Sequence, residues 1–162
     1  MGQARAAAAG AGRPAAQEGR GPGPALPVIG SLGELAAIVR EHGQVYLRHS
    51  LGPDADAHQR SRDYESGLEL PGLSAVPLSP PAWWTRPARD WLARQICKYA
   101  HLSERDSRRY AWILTGEVAG AGPDSEPLIA DPRPAGRLGG RALAEARRCY
   151  RERFEAGRDS AG

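Results

Sequence analysis

Residues 61–87 read SRDYESGLELPGLSAVPLSPPAWWTRP, and this stretch limits what the chain can fold into more than any other. It holds five prolines, a tyrosine, two adjacent tryptophans and repeated Gly-Leu steps. Proline fixes φ and removes a backbone donor, and glycine weakens any regular element, so neither a helix nor an interior strand can run through it. It is also too apolar for a linker. The segment is expected to be an irregular crossing that builds a specific surface or pocket lining.

Regular elements are legible on both sides. Ser31 and Glu34 match a Ser-x-x-Glu capping box before Leu32, Leu35, Ile38 and Val39, which repeat at helical spacing. That predicts a helix to about Glu41, ended by Gly43 in the left-handed C′ position. Residues 44–50 alternate, with Val45, Leu47 and His49 on one face and Tyr46, Arg48 and Ser50 on the other, and predict a strand. Residues 52–60 read as a polar exposed loop, and 72–78 as one short strand limited by Pro71 and Pro77. Thr85 and Pro87 open a helix with the stripe Trp91, Leu92, Gln95, Ile96 and Tyr99. A charged connection over 103–109 leads to a hairpin of 110–118 and 127–130, then a Pro/Gly loop over 131–140. A final helix from Gly140 presents Leu143, Ala146, Tyr150 and Phe154.

Strands and helices do not alternate strictly enough for a doubly wound parallel sheet. The expected class is α+β: a small antiparallel or mixed sheet against two to three helices. Residues 1–26 lack aromatics and periodicity and predict a disordered tail, or a start upstream of the native one. The folded domain is then 27–157, with 158–162 frayed.

Charge bounds the partners. The first thirty residues carry Arg5, Arg13 and Arg20 against Glu18, so the remaining 132 hold 19 basic and 18 acidic residues. A near-neutral body gives no bulk electrostatic footprint, so nucleic acid is not the expected partner. No run approaches the ~18 apolar residues of a membrane span, and the Ala6–Ala9 run is too short for a secretory signal. Cys97 and Cys149 suit free thiols in a reducing compartment. A soluble cytoplasmic protein with an unknown protein or small-molecule ligand is expected.

Nucleotide loops and a Gly-x-Ser-x-Gly elbow are absent from the sequence. Cys97 and His101 stand i, i+4 but are too few for zinc, and Asp54, Asp56, Asp63 and Glu65 do not match a calcium loop, so no metal is expected. Trp91 and Trp112 sit on apolar faces and read as core. Of Trp83 and Trp84, one should be buried and the other could line a groove. On the final helix Arg148–Glu152 and Arg151–Glu155 are spaced as i, i+4 pairs on an exposed face.

Two functional readings follow. The first is a binding or interaction domain whose groove is formed by the 61–87 segment, with contact residues Arg48, Arg62, Asp63, Glu65, Ser74, Trp83 and Trp84. In the second, Arg48 on a strand, Ser74 on a later strand and a later acid, Glu126 or Glu117, resemble the Arg–Ser–Glu arrangement of ADP-ribosyltransferases. That resemblance implies NAD as the dinucleotide held by Arg48, with Ser74 supporting the pocket and the acid polarising the ribose or acceptor; no cofactor is expected otherwise. The plainer alternative pairs Arg48 with Asp63 or Glu65.

VYLRHSLGPDAD, SRDYESGLELPGLS, WWTRPARDWLARQ and GPDSEPL together are similar to a family of small uncharacterised proteins of actinobacterial-type, GC-rich bacteria. The resemblance covers nearly all of the chain beyond the tail. It implies a domain of unknown function and brings no activity with it.

Overall fold

The computed structural model describes residues 25–155. The expected disorder of 1–26 and fraying of 158–162 fall outside the described residues, except for Ala25 and Leu26. Leu26 is half-buried against core side chains, so ordered packing begins at least one residue before the expected boundary.

A two-residue strand, β1 (Val28–Ile29), leads into α1 (Leu32–His42). The cap of α1 is local chemistry: the Ser31 hydroxyl accepts from the Glu34 N–H at 3.1 Å, and the Glu34 carboxylate accepts from the Gly30 N–H at 2.8 Å. Gly43 ends the helix with the positive φ expected of it, 74°, but ψ is −77°, a γ-turn closed by the Gln44 N–H on the His42 carbonyl at 2.9 Å rather than the left-handed helical conformation. Strand β2 (Tyr46–Ser50) follows.

The expected polar loop after β2 contains a short helix, α2 (Pro53–His58). Proline at the first position and Asp54 and Asp56 in the first turn favour it. Residues 72–78 form two strands rather than one, β3 (Leu73–Ser74) and β4 (Val76–Pro77). Helix α3 (Ala88–Lys98) is followed by α4 (His101–Arg105), which takes part of the expected charged connection.

The hairpin is longer than its sequence signals. Strands β5 (Tyr110–Ala121) and β6 (Pro127–Leu138) pair along their length, so the expected loop over 131–140 is mostly strand. Its prolines are tolerated because the ladder is broken there. Register shifts fall between Ile113 and Leu114 and between Thr115 and Glu117, opposite the stretch holding Asp131, Pro132, Pro134 and Ala135. Helix α5 (Gly140–Tyr150) continues as a π-helical turn (Arg151–Glu155).

The fold is α+β, with a mixed sheet ordered β1-β6-β5-β2-β4. Strand β3 pairs with β6, while β4, one residue further on, pairs with β2. Residues 73–77 therefore join the two flanks of the sheet and hold it curled. Gly72 permits this crossing: a Cβ there would sit 2.8–2.9 Å from the Ile129 backbone.

Two cores result. On one face α1, α3 and α5 bury Leu32, Leu35, Leu92, Ile96 and Ala146 against Val45, Leu47 and Ile113. Inside the curl, Tyr46, Leu73, Ala75, Trp112, Leu114 and Ile129 form the second cluster. Strand β2 is thus buried on both sides, as a central strand between two cores must be. Trp91 and Trp112 are buried, as their apolar spacing predicts.

Candidate functional site

Arg48 lies on the curl side of β2, opposite Trp112 of β5. Its Nε and Nη2 donate to the two carboxylate oxygens of Asp56 at 2.7 and 3.0 Å. Its Nη1 donates to the Ser74 carbonyl at 2.7 Å. The pair is largely out of solvent, with the Arg48 and Asp56 side chains 17% and 8% exposed. Asp56 also accepts from the Ser50 hydroxyl at 2.5 Å, and Ser50 accepts from the Trp112 indole at 2.9 Å. Neither Asp63 nor Glu65 is the partner: α2 folds back over β2 and delivers Asp56 first.

Ser74 links this network to the hairpin turn. Its hydroxyl bonds Glu126 Oε1 at 3.1 Å and its N–H donates to the Ser61 hydroxyl at 3.1 Å. Glu126 also accepts from the Asp124 N–H at 2.9 Å. Arg48, Ser74 and Glu126 are therefore connected, although 26 and 52 positions separate them in turn. Glu117 is exposed on β5 and has no place in this chain of bonds.

Arg62, Asp63 and Glu65 are placed elsewhere. Residues 61–70 double back, with the Leu70 N–H donating to the Ser61 carbonyl at 2.8 Å and Arg62 pairing with Glu69 at 3.3 Å. Asp63 accepts from the Ser66 hydroxyl and from the Ser66 and Glu65 N–H groups, bonds that hold its carboxyl below the usual range. Tyr64 and Leu68 are exposed at the tip. The excursion pairs Arg62 with Glu69 and caps Asp63 within itself, and offers no acid to Arg48.

Trp83 and Trp84 lie on the other face of the sheet, against α3. Trp84 is half-buried, with Trp91 edge-on at 5.1 Å and Phe154 tilted at 6.5 Å. Trp83 meets both Trp84 and Trp91 edge-on at 6.1 Å, yet is 68% exposed. The Arg86 guanidinium lies over Phe154 at 4.5 Å and Trp84 at 5.7 Å, and Arg94 lies over Trp91 at 5.6 Å. The candidate residues thus fall into the Arg48 network, the separate 61–70 excursion and the tryptophan cluster on the other face, and the 61–87 segment does not close one groove.

The tryptophan region continues into an arginine-rich surface that sequence reasoning read as a solvated helix face. Buried Asp90 anchors it, accepting from Arg86 at 3.0 Å with Arg153 at 3.7 Å. Beside it a cleft of about 340 Å³ is lined by Arg89, Asp90, Arg148, Cys149, Glu152 and Arg153. A neighbouring cleft of about 440 Å³ shares Arg148 and adds Ser31, Arg141, Glu145 and Arg151. Glu145 ties the elements together, accepting from Arg89 at 2.9 Å and from the Leu32 N–H at 3.1 Å. The i, i+4 pairs expected on α5 do not form: Arg148 and Arg151 make no salt bridge among the described residues. Part of the reason is that the backbone widens to π-helical geometry over 151–155, which turns Glu155 away from the i+4 position. The sequence signal available was the cationic excess on both helices.

Among the described residues no three His, Cys, Asp or Glu side chains cluster as metal ligands, and no helix is long and apolar enough to cross a membrane. Burial raises the thiol pKa of both free cysteines, Cys97 and Cys149.

A small α+β domain with a curled sheet, an internally bonded Arg–Ser–Glu network and an arginine-lined helical face is the class these features define. The chain belongs to DUF6098, a family of unknown function whose profile matches residues 22–161. That match names neither an activity nor a source organism. No curated protein and no solved structure matches the chain.

Proposed function

We propose that this domain works by binding, and that its ligand face is the tryptophan- and arginine-rich surface of α3 and α5, which takes an anionic partner. The observation that carries the reading is the pair of adjoining clefts that share Arg148 and are lined by Arg89, Arg141, Arg151 and Arg153. Guanidinium groups there present planar donors suited to carboxylate or phosphate. Trp83 and Trp84 are the part of the 61–87 segment that belongs to this face. A cytoplasmic setting fits the two free thiols.

Retention of the full chain on heparin resin tests the reading. Wild type should elute at clearly higher salt than the double variant Arg148→Glu, Arg151→Glu. Co-elution of the two proteins would contradict it.

A second reading attaches to Arg48, Ser74 and Glu126, favoured by the Ser74 bridge between the other two. It is the ADP-ribosyltransferase-like reading, with NAD held at this network. Asp56 stands against it, because it occupies the guanidinium donors a phosphate would need, and α2 would have to move aside. A ligand of the folded state raises the unfolding temperature. No thermal shift with NAD at about a thousand times a micromolar dissociation constant would remove this reading.

A further inference from the structure

The fold segregates charge that the sequence averages out. Residues 83–98 carry Arg86, Arg89, Arg94 and Lys98 against Asp90 alone. Residues 140–155 carry Arg141, Arg147, Arg148, Arg151 and Arg153 against Glu145, Glu152 and Glu155. These two stretches hold a net +5, in a chain whose total is +3, so everything else is net negative. Helix α3 packs along α5, which brings both stretches onto one side of the molecule.

Two of the four acids are already spent. Asp90 is buried between Arg86 and Arg153, and Glu145 is paired with Arg89. Arg94, Arg141, Arg147, Arg148 and Arg151 are exposed and make no salt bridge among the described residues. The surface is continuous with the tryptophans: Arg86, over the Trp84 and Phe154 rings, donates to the Arg153 carbonyl at 3.3 Å, and Arg153 lines the first cleft.

We infer that this face binds single-stranded nucleic acid, with phosphates along the Arg148 clefts and an unpaired base stacked on Trp83. The inference rests on the anionic-partner reading above and names the partner. Five of the six cations here that make no salt bridge among the described residues are arginines, Lys98 being the sixth, and their forked donors take carboxylate or phosphate. One feature selects a nucleic acid strand over an acidic peptide. The exposed indole lies edge-on to Trp84 and Trp91, and a base supplies the flat partner that a carboxylate side chain does not. A paired base keeps its faces inside the duplex stack, which leaves the single strand. The α5 face with its π-helical turn is 16 residues long, roughly 24 Å at the α-helical rise, room for a strand of a few nucleotides. A near-neutral body argued against nucleic acid only as an average over the whole surface.

The test is fluorescence anisotropy of the full chain with labelled oligothymidylate and oligouridylate of about twenty nucleotides, long enough for one site, measured across a salt series. Binding should be saturable and weaken as salt rises. The pair Arg148→Glu, Arg151→Glu should lower affinity by about tenfold or more and flatten the salt dependence. Trp83→Ala should lower affinity by about tenfold with the salt slope unchanged, because stacking releases no counterions. All three side chains are exposed, so circular dichroism should show the variants folded; Arg141→Glu serves as a milder check. Retention on heparin without saturable binding of either oligonucleotide would overturn the inference and leave the anionic-partner reading standing. Competition by polyglutamate at equal charge, with Trp83→Ala silent, would also overturn it and point to an acidic protein. Loss of heparin retention as well would overturn both.

Discussion

Replacing Asp56 with Ala should be among the most damaging single changes in this domain. Asp56 accepts three hydrogen bonds, two from Arg48 at 2.7 and 3.0 Å and one from Ser50 at 2.5 Å. With the carboxylate gone, the Arg48 guanidinium keeps only the Ser74 carbonyl and remains mostly buried. Breaking a buried pair from one side costs about 3–5 kcal/mol, because it strands the remaining charge. Helix α2, only six residues long and without a side-chain cap, loses its tie to β2 at the same time. Against a typical total of about 5–15 kcal/mol, the change is large enough for urea unfolding followed by circular dichroism to resolve. The double variant Arg48→Met, Asp56→Leu supplies the control. It removes both charges and should cost less than Asp56→Ala alone. A cost below about 1 kcal/mol for Asp56→Ala, or a double variant less stable than the single, would refute the view that charge burial organises this network.

Other perturbations probe separate parts of the fold. Trp91→Ala should cost about 3–5 kcal/mol by emptying a buried site beside Trp83 and Trp84, and an unchanged urea midpoint would contradict the assigned core face. Gly72→Ala should cost about 1–3 kcal/mol, because its Cβ would press on the Ile129 backbone; wild-type hydrogen exchange at Ser74 and Leu128 in the variant would show the crossing is not tight. His49 is buried between β2 and the α3–α4 corner, with Ser103 Oγ 3.4 Å from Nδ1 and Nε2 without a hydrogen-bond partner among the described residues. Burial lowers its pKa from 6.5 to about 4, with the nearby His101 adding to the effect and the Ile96 carbonyl opposing it. The unfolded chain then binds the proton first, so stability present above pH 6.5 should fall as pH drops toward 4, by up to ~3 kcal/mol. His49→Leu should flatten that slope, and an equally steep profile in the variant would assign the acid sensitivity elsewhere.

How far the sequence could be read depended on how local each signal was. Ser31, Glu34 and Gly43 act within one turn of α1, and both ends of that helix followed from them. Pro132 and Pro134 misled because a proline reads as a strand breaker; the bulges that excuse them depend on β5, a partner residues away. In α2, Pro53 and the first-turn aspartates were helix-start signals hidden in a stretch polar enough to pass for a loop. The partner of Arg48 was a competition between acids on the same side of it in the sequence, of which Asp56 is the nearer. Asp56 wins because α2 folds back over β2, whereas Asp63 and Glu65 sit in an excursion that bonds to itself. The linkage of Arg48 to Ser74 and Glu126 rests on strand pairing, so sequence could name those residues but not their bonds. The arginine face was the least legible feature. Each helix alone looks amphipathic and solvated, and only the packing of α3 on α5 sums their charge.

Backbone and indole amide shifts of the full chain, recorded by NMR while a short heparin oligosaccharide is added, test the ligand-face assignment most directly. The Trp83 indole and the amides of Arg89, Arg148 and Arg151 should move together and saturate. Changes centred on Arg48, Ser74 and Glu126 instead, or scattered without saturation over the whole surface, would contradict it.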